Sequence, residues 1–404
     1  MTSLSSNTAE SVHSAHPPHV QLTLIDVSPD LFQSSDIDLL LNHALDLGCI
    51  CLNKNDTILQ SSDVARERIS KSVMRFVKPQ DRYLALGSML LKSRAYHQSL
   101  LEEREEGCEC KVLSKSSEAS EAPLPLVELP RTKYNKPYLL VSRRSRHSGS
   151  HQGDTIDSGD EEDQPAHTIS ISHTISVSHQ FPYVGITRLL QSPHSNNSPL
   201  HVGFDIVMYE APNPKLYSTT SEFLGVFKNS FTPSEWGCIV DSSAAWFGRR
   251  RKSDENTRRE FYLRWAVKEA YTKALGLGLG HEFGKFEVVF DCCEGEQEGG
   301  GLVEVIDTFG IEGSNTRDEI IGKRLDTLGT IRYAERDGST DQDDVWHFTF
   351  LELQGGSTDC DVMGCACVCI GPLEAGSVST CDGIVKEEVS TLEDVMRWHQ
   401  RDRS

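Results

Sequence analysis

The 404-residue chain carries 60 acidic against 40 basic side chains, a formal net charge of −20. That balance excludes a bulk basic nucleic-acid binder but leaves room for a local cationic pocket. Hydrophobic residues at 37% and aromatics at 7% are thin for a fully packed chain of this size, so a globular core diluted by polar insertions is expected.

Residues 1–19 read as a disordered tail, Ser/His/Pro-rich and without the basic and apolar regions of a signal peptide. A first strand is predicted over 21–27, and helices over 35–47, 64–76 and 81–96. The last of these has Leu84, Leu86, Met89, Leu90 and Leu91 at helical spacing. Residues 102–122 are polar and predict a loop ending in a short strand. Residues 142–168 run from Arg143, Arg144 and Arg146 into an acidic stretch, the composition of a disordered insertion. Residues 291–317 and part of 353–363 read the same way. Strands are predicted over 169–177, 183–186, 200–207, 286–290, 302–306 and 346–353, with the clearest helix of the second half over 260–275.

Strands and helices alternate irregularly, with hairpin-like pairs, which predicts an α+β fold rather than a doubly wound parallel sheet. At ~150 residues per domain, the foldable part makes two domains. The expected division is an N-terminal α+β half over 20–199, interrupted at 142–168, and a C-terminal half over 200–404, interrupted at 291–317. No run approaches the ~18 apolar residues of a membrane span, and twelve cysteines without a scaffold pattern point to a reducing, cytoplasmic setting. Cys365, Cys367 and Cys369 are spaced by two, unlike the C-x-x-C of zinc sites. Alternate strand residues share a face, so a strand is expected there rather than a metal centre.

Four segments carry chemistry. Val202-Gly203-Phe204-Asp205-Ile206-Val207 is an apolar strand with one carboxylate at its centre, costly unless paired or coordinated. In the helix that follows, Trp265, Glu269 and Lys273 fall on one stripe, four residues apart. Ser178-His179 ends a strand and offers a hydroxyl, a ring nitrogen and backbone N–H groups suited to a phosphate. Arg131, Lys133 and Lys136 make a compact cationic turn stiffened by Pro137. Singly, each admits a structural reading: a strand-end Asp, a surface salt bridge, a satisfied His, a solvated loop. The run Gly276-Leu-Gly278-Leu-Gly280 closes a helix instead of opening one, so it reads as a C-cap and not a dinucleotide loop. No G-x-S-x-G, P-loop or kinase signature occurs.

In order and spacing these segments resemble the signature of the 4′-phosphopantetheinyl transferases. G-x-D at 203–205 is followed, after 59 intervening residues, by W-x-x-K-E-x-x-x-K at 265–273. Arg75-Phe76 to Asp81-Arg82, the Asn135-Lys136-Pro137-Tyr138 turn and Ser176-Val177-Ser178-His179 agree in order with the flanking pieces of the large, surfactin-synthetase-activator-type class. The resemblance implies a pseudo-dimer of two similar α+β halves with the active site in the cleft between them, acting as a monomer.

It further implies transfer of phosphopantetheine from coenzyme A to a serine of a carrier-protein domain, releasing 3′,5′-ADP. The carriers implied are those of polyketide synthases, non-ribosomal peptide synthetases, fatty-acid synthase or the aminoadipate reductase of lysine biosynthesis. Asp205 and Glu269 are the implied ligands of Mg²⁺ (or Mn²⁺), with Glu269 also the base for the serine proton and Lys273 neutralising the pyrophosphate. Ser178 and His179 are implied to grip the 3′-phosphate of coenzyme A, with Lys78, Lys92, Lys136 and Lys268 as further contacts. At the position of the second acid of bacterial relatives stands Val207. The alternative is a non-catalytic coenzyme A-binding or scaffold protein with regulatory disordered inserts, in which Asp205, Glu269 and Lys273 are dispensable.

Overall fold

The computed structural model describes residues 19–28, 37–52, 58–61, 63–105, 123–131, 136–137, 139–143, 168–172, 175–190, 200–240, 253–278, 281–290, 320–333, 344–354, 363–373 and 384–400. The tail up to residue 18, most of the 142–168 insertion, the whole of 291–317 and the strand expected over 302–306 lie outside these residues. The fold is α+β, built around two sheets stacked in the middle of the molecule.

The first sheet has the order β14 (Val385–Thr391), β1 (His19–Asp26), β8 (Tyr183–Leu190), β7 (Ile175–Gln180). β1 and β14 run parallel, and the other pairs are antiparallel. The second sheet is antiparallel throughout, in the order β10 (Phe286–Phe290), β11 (Ile321–Tyr333), β12 (Asp344–Leu353), β13 (Gly364–Leu373), β9 (His201–Met208). Smaller sheets join β2 (Cys49–Leu52), β3 (Ile58–Ser61) and β4 (Leu126–Glu128), and β5 (Leu139–Arg143) with β6 (Thr168–Ser172). His19, the last residue of the expected tail, belongs to β1.

Three cores define the layers. Ile25, Val184 and Ile186 of the first sheet, with Val27 just past β1, pack under the helices α1 (Ile37–Asp46), α2 (Asp63–Met74), α3 (Pro79–Glu105) and α7 (Leu392–Gln400). Val20, Leu22 and Leu24 on the opposite face meet Val202, Phe204 and Ile206 of β9 and Val368 of β13. The far face of the second sheet, with Val207, Phe348, Phe350 and the three thiols Cys365, Cys367 and Cys369, packs on α6 (Asp254–Leu275). The thiols therefore share one strand face, buried and free, as the two-residue spacing predicts. Burial pushes the Cys367 and Cys369 thiols well above their ordinary range, with the neighbouring thiols and Asp205 adding to the rise at Cys367 and Lys136 opposing it at Cys369. Central position buries both faces of β12 and β13: Trp346–Leu353 and Gly364–Gly371 are buried throughout, with His347, Thr349 and Glu352 among the apolar residues.

Helix ends follow local chemistry. Pro79 opens α3, where a missing N–H costs nothing. The Ser253 side chain caps α6 by accepting from Asn256 N at 3.1 Å. Gly276, at φ 71°, closes α6 in the left-handed conformation, its N–H and that of Leu277 bonding back to Lys273 O and Thr272 O. The 200–404 half lends its last strand and helix to the first sheet, where β14 pairs with β1 and α7 packs on α3. Lys136, in the turn before β5, donates to Ala274 O at 3.1 Å and to Val202 O at 3.4 Å. It thereby places a cation on the carbonyl end of α6.

Candidate functional site

The site is built where the edge strands of the two sheets meet. β9 is the outer strand of its sheet, and its free edge lies along β7. The outward amides of Phe204, Ile206 and Met208 donate to Ser176 Oγ, Ser178 Oγ and Gln180 Oε1 at 3.0, 3.2 and 3.0 Å. Three side chains with a period of two thus replace a ladder strand, each hydrogen bond contributing about 1 kcal/mol. They fix the register of β9 against β7, and so the height of Asp205 against Ser178.

Gly203, Asp205 and Val207 share the face of β9 that looks at α6. Gly203 lets the helix approach: a Cβ there would lie 1.7 Å from Ala270 O. This contact brings the stripe Trp265, Glu269, Lys273 over Asp205. Lys273 Nζ lies 2.6 Å from Asp205 Oδ1 and 3.0 Å from Ser178 Oγ, and Ser178 Oγ donates to the same Oδ1 at 2.8 Å. The three groups close a triangle. Glu269 has no hydrogen-bond donor to its carboxylate among the described residues. Burial first, and the nearby Asp205 charge second, raise its carboxyl above the ordinary value, with Lys273 opposing.

A cavity of about 520 Å³ opens over these groups. Ser178, His179, Asp205, Glu269 and Lys273 line it on one side, and Phe223, Phe227, Phe261, Tyr262 and Trp265 form an aromatic wall on the other. The wall rests on α4 (Thr220–Gly225), α5 (Pro233–Val240) and the start of α6. Phe227 and Phe283 meet Trp265 edge-on at 5.4 and 5.3 Å, which holds the indole at the cavity.

His179, at the rim, has its pKa lowered by burial and by the Lys273 and Lys92 ammonium groups. Half-buried Lys92, from α3, is itself depressed to about 8 by burial and by Arg131 and Arg75. Lys92, Arg131 and Arg75 repel one another and would each be stabilised by an anion, which would also favour the charged form of His179. The turn carrying Arg75 is pinned by Arg82, whose Nε donates to Phe76 O at 2.7 Å.

Several expected contacts differ from their sequence reading. Lys268 does not reach the cavity. Its side chain is fully buried on the other side of α6, paired with Glu235 Oε2 at 2.8 Å and donating to Phe283 O and Phe286 O at 2.7 and 2.5 Å. One residue away from Glu269, it points about 100° around the helix and serves the core. Lys136 faces the carbonyls of Val202 and Ala274, and burial lowers its ammonium to about 7. Ser178 is buried and holds Asp205 and the β9 amide, although it also lines the cavity. Lys78 is exposed at the start of α3, outside the cavity lining, and Lys92 acts on the site through its charge on His179. Lys133 lies outside the described residues. The aromatic wall, apart from Trp265, was not anticipated. Its signal is the density of Phe and Tyr between 217 and 262 on a polar, Ser-containing background.

The donor chemistry fits a hard divalent cation. Two carboxylates face one polar cavity, and their mutual repulsion is a cost that such an ion removes. Among the described residues no three His, Cys, Asp or Glu side chains converge. Val207, two residues after Asp205, is buried against α6. A cation held by two protein oxygens must complete its shell with water and ligand oxygens, which is the habit of Mg²⁺.

Residues 201–300 match the family model described as the 4′-phosphopantetheinyl transferase superfamily. The chain is 41% identical over 80 residues to a phosphopantetheinyl transferase of Thraustochytrium sp., covering 20% of this chain and 25% of the relative. It is 36% identical over 89 residues to the human L-aminoadipate-semialdehyde dehydrogenase-phosphopantetheinyl transferase, covering 22% of this chain and 25% of that protein. The mouse protein of the same name is 35% identical over 89 residues. The matched segment spans about a quarter of the length of these relatives.

Proposed function

We propose that this protein is a phosphopantetheinyl transferase, moving the phosphopantetheine group of coenzyme A to a serine hydroxyl of a carrier-protein domain and releasing 3′,5′-ADP. The observation that carries the reading is the junction of β9, β7 and α6. It sets Asp205, Glu269 and Lys273 around one cavity inside the segment that matches the transferase superfamily.

Asp205 and Glu269 would hold Mg²⁺, which when bound supplies charge neutralisation and polarisation at the phosphoryl group. The serine oxygen forms a bond to the phosphorus that carries pantetheine, the bond to the bridging pyrophosphate oxygen breaks, and the serine proton is taken up by a base. Glu269 suits that role, directly or through a water, because burial raises its proton affinity towards that of a working base. Lys273, one turn along, faces the oxygens on which negative charge grows. Asp205 stays where Ser178 and the β7–β9 junction hold it. Lys92, Arg131 and Arg75 form a cationic side beside the His179 ring, suited to the terminal phosphate of coenzyme A. The aromatic wall gives the other side of the cavity an apolar surface.

The two stacked sheets, each covered by its own helices, support a pseudo-dimer of α+β halves with the site between them. The carrier classes proposed are those of polyketide, non-ribosomal peptide, fatty-acid and aminoadipate-reducing enzymes, the last favoured by the name of the human relative. A monomer acting in the cytoplasm is proposed with them; among the described residues no helix is long and apolar enough to cross a membrane.

The test is the intact mass of a purified apo carrier domain after incubation with this protein, coenzyme A and Mg²⁺. The expected result is a gain of one phosphopantetheine, abolished by EDTA. No gain on any of the four carrier types, together with no binding of coenzyme A, overturns the reading.

A further inference from the structure

Lys273 occupies an unusual position for a residue meant to meet phosphate. Its ammonium is 2.6 Å from Asp205 Oδ1 and 3.0 Å from Ser178 Oγ. The Asp205 oxygen it contacts is the one that Ser178 also bonds, and Ser178 is fixed in turn by the Ile206 amide. Asp205 is thus rigidly held, with its side chain 8% exposed, while that of Lys273 is 26% exposed at the cavity. The other lysines nearby are committed elsewhere: Lys268 to Glu235 and two carbonyls, Lys136 to Val202 O and Ala274 O. Lys273 is the cation at this junction with a long stem and an open path into the cavity.

We propose that Lys273 is the stand-in cation of the free protein, seated on Asp205 until a divalent metal and the pyrophosphate of the donor enter together, when it leaves the carboxylate for the phosphate oxygens. The proposal rests on the transferase reading of the same cavity and adds an order of binding to it.

Charge accounting carries the argument. Asp205 and Glu269 bring two negative charges and Lys273 one positive charge, so the free site is one charge short of neutral. A divalent ion arriving alone must share Asp205 with an ammonium at contact distance, and like charges that close repel strongly in a half-buried site. The ion is therefore bound weakly while Lys273 stays. Donor phosphates change the balance, because their negative charge receives the displaced ammonium in charge-assisted hydrogen bonds. Metal and coenzyme A then bind cooperatively, and linkage requires each to raise the affinity of the other by the same factor.

The experiment is Mn²⁺ binding followed by electron paramagnetic resonance, with and without coenzyme A, on the full-length protein and on Lys273→Met and Lys273→Gln. In the wild type, coenzyme A is expected to tighten Mn²⁺ by about tenfold or more, the size of one lost charge-assisted contact. In the variants, Mn²⁺ alone is expected to bind about tenfold more tightly than it binds the wild type, and the added effect of coenzyme A is expected to shrink. Circular dichroism establishes that each variant is folded, and Gln covers the case in which Met is not tolerated. Equal Mn²⁺ affinity of wild type and variants without coenzyme A, with cooperativity retained in the variants, overturns the exchange while leaving the transferase reading standing. No Mn²⁺ binding by any of the three proteins, even with coenzyme A, overturns the metal site itself and the exchange with it.

Discussion

Gly203→Ala tests the geometric basis of the whole site. The Cβ added by this change would lie 1.7 Å from Ala270 O and 2.7 Å from Ala274 N, both backbone atoms of α6. Neither can swing aside as a side-chain tip would. To bring the first contact to even 3.0 Å, α6 and β9 must separate by 1.3 Å. A rigid displacement of that size would lengthen the 2.6 Å Lys273–Asp205 contact to about 3.9 Å, past hydrogen-bonding range. Lys273 has the reach to follow, but Glu269 is carried away from Asp205 with the helix backbone. Inserting a methyl into a packed junction costs about 1–3 kcal/mol, and an immovable backbone neighbour places this one at the upper end. Urea unfolding followed by tryptophan fluorescence should show a loss of about 3 kcal/mol, accompanied by loss of metal-dependent transfer. Gly237→Ala, in α5 and with nothing within 4 Å of the added Cβ, is the control. It should leave activity intact and add about 0.5–1 kcal/mol through helix propensity. A Gly203→Ala protein within ~0.5 kcal/mol of wild type, and fully active, would refute the close-approach argument.

Three further outcomes are expected. Glu269→Gln should lower transfer by at least about 100-fold while raising stability at neutral pH. The folded carboxyl is raised, so its ionised form weakens the fold above its folded pKa, and the amide removes that cost; a less stable variant at pH 7 would contradict this. Lys268→Met should cost about 3–5 kcal/mol, because it leaves the Glu235 carboxylate buried without its cation. Glu235→Gln in the same protein should recover part of the loss in a double-mutant cycle, and an affinity for coenzyme A that falls in the folded single mutant would return Lys268 to the ligand. His399 is fully buried between Leu90 O and Leu124 O, each 3.2 Å from a ring nitrogen, and burial lowers its pKa from 6.5 to about 4. Its neutral form supports the fold fully above pH 6.5, and roughly 3 kcal/mol is lost as pH falls towards 4. His399→Gln should flatten that descent in urea melts, and an unchanged slope would assign the acid sensitivity to other groups.

The elements that were legible in sequence are those whose patterning is local. Helices such as α6 and α3 announce themselves through caps and apolar spacing, and the 286–290 strand coincides with β10. What could not be read is what depends on a partner far along the chain. β11 mixes Lys323, Arg324 and Asp326 with apolar residues and has no clean alternation. It is a strand because β10 and β12 flank it and because Arg324 pairs with Asp326 and reaches Glu387 on β14. β14, as VKEEVST, looks like a solvated segment. Its place beside β1 rests on pairing across more than 360 residues and on Arg94 bonding Glu388 at 2.6 Å. No window of sequence contains both halves of those arguments.

The site shows the same division between spacing and facing. The spacing of Gly203, Asp205, Glu269 and Lys273 marked residues that the fold does bring together, because strand parity and helical period are exact enough over such short spans to fix a shared face. Lys268 sits inside the same motif yet turns into the core, where a cation survives only because Glu235 and two carbonyls receive it. The resemblance implies phosphate contacts at Lys136 and Ser178, and the structure gives both a prior duty at the β7–β9–α6 junction. A motif lists the residues a site needs without separating those that touch the ligand from those that hold the touching groups. That separation appears only when each polar atom has been assigned its partner, and it is why Ser178 and Lys273 belong to one argument: the first fixes the carboxylate, and the second balances its charge until metal and phosphate arrive.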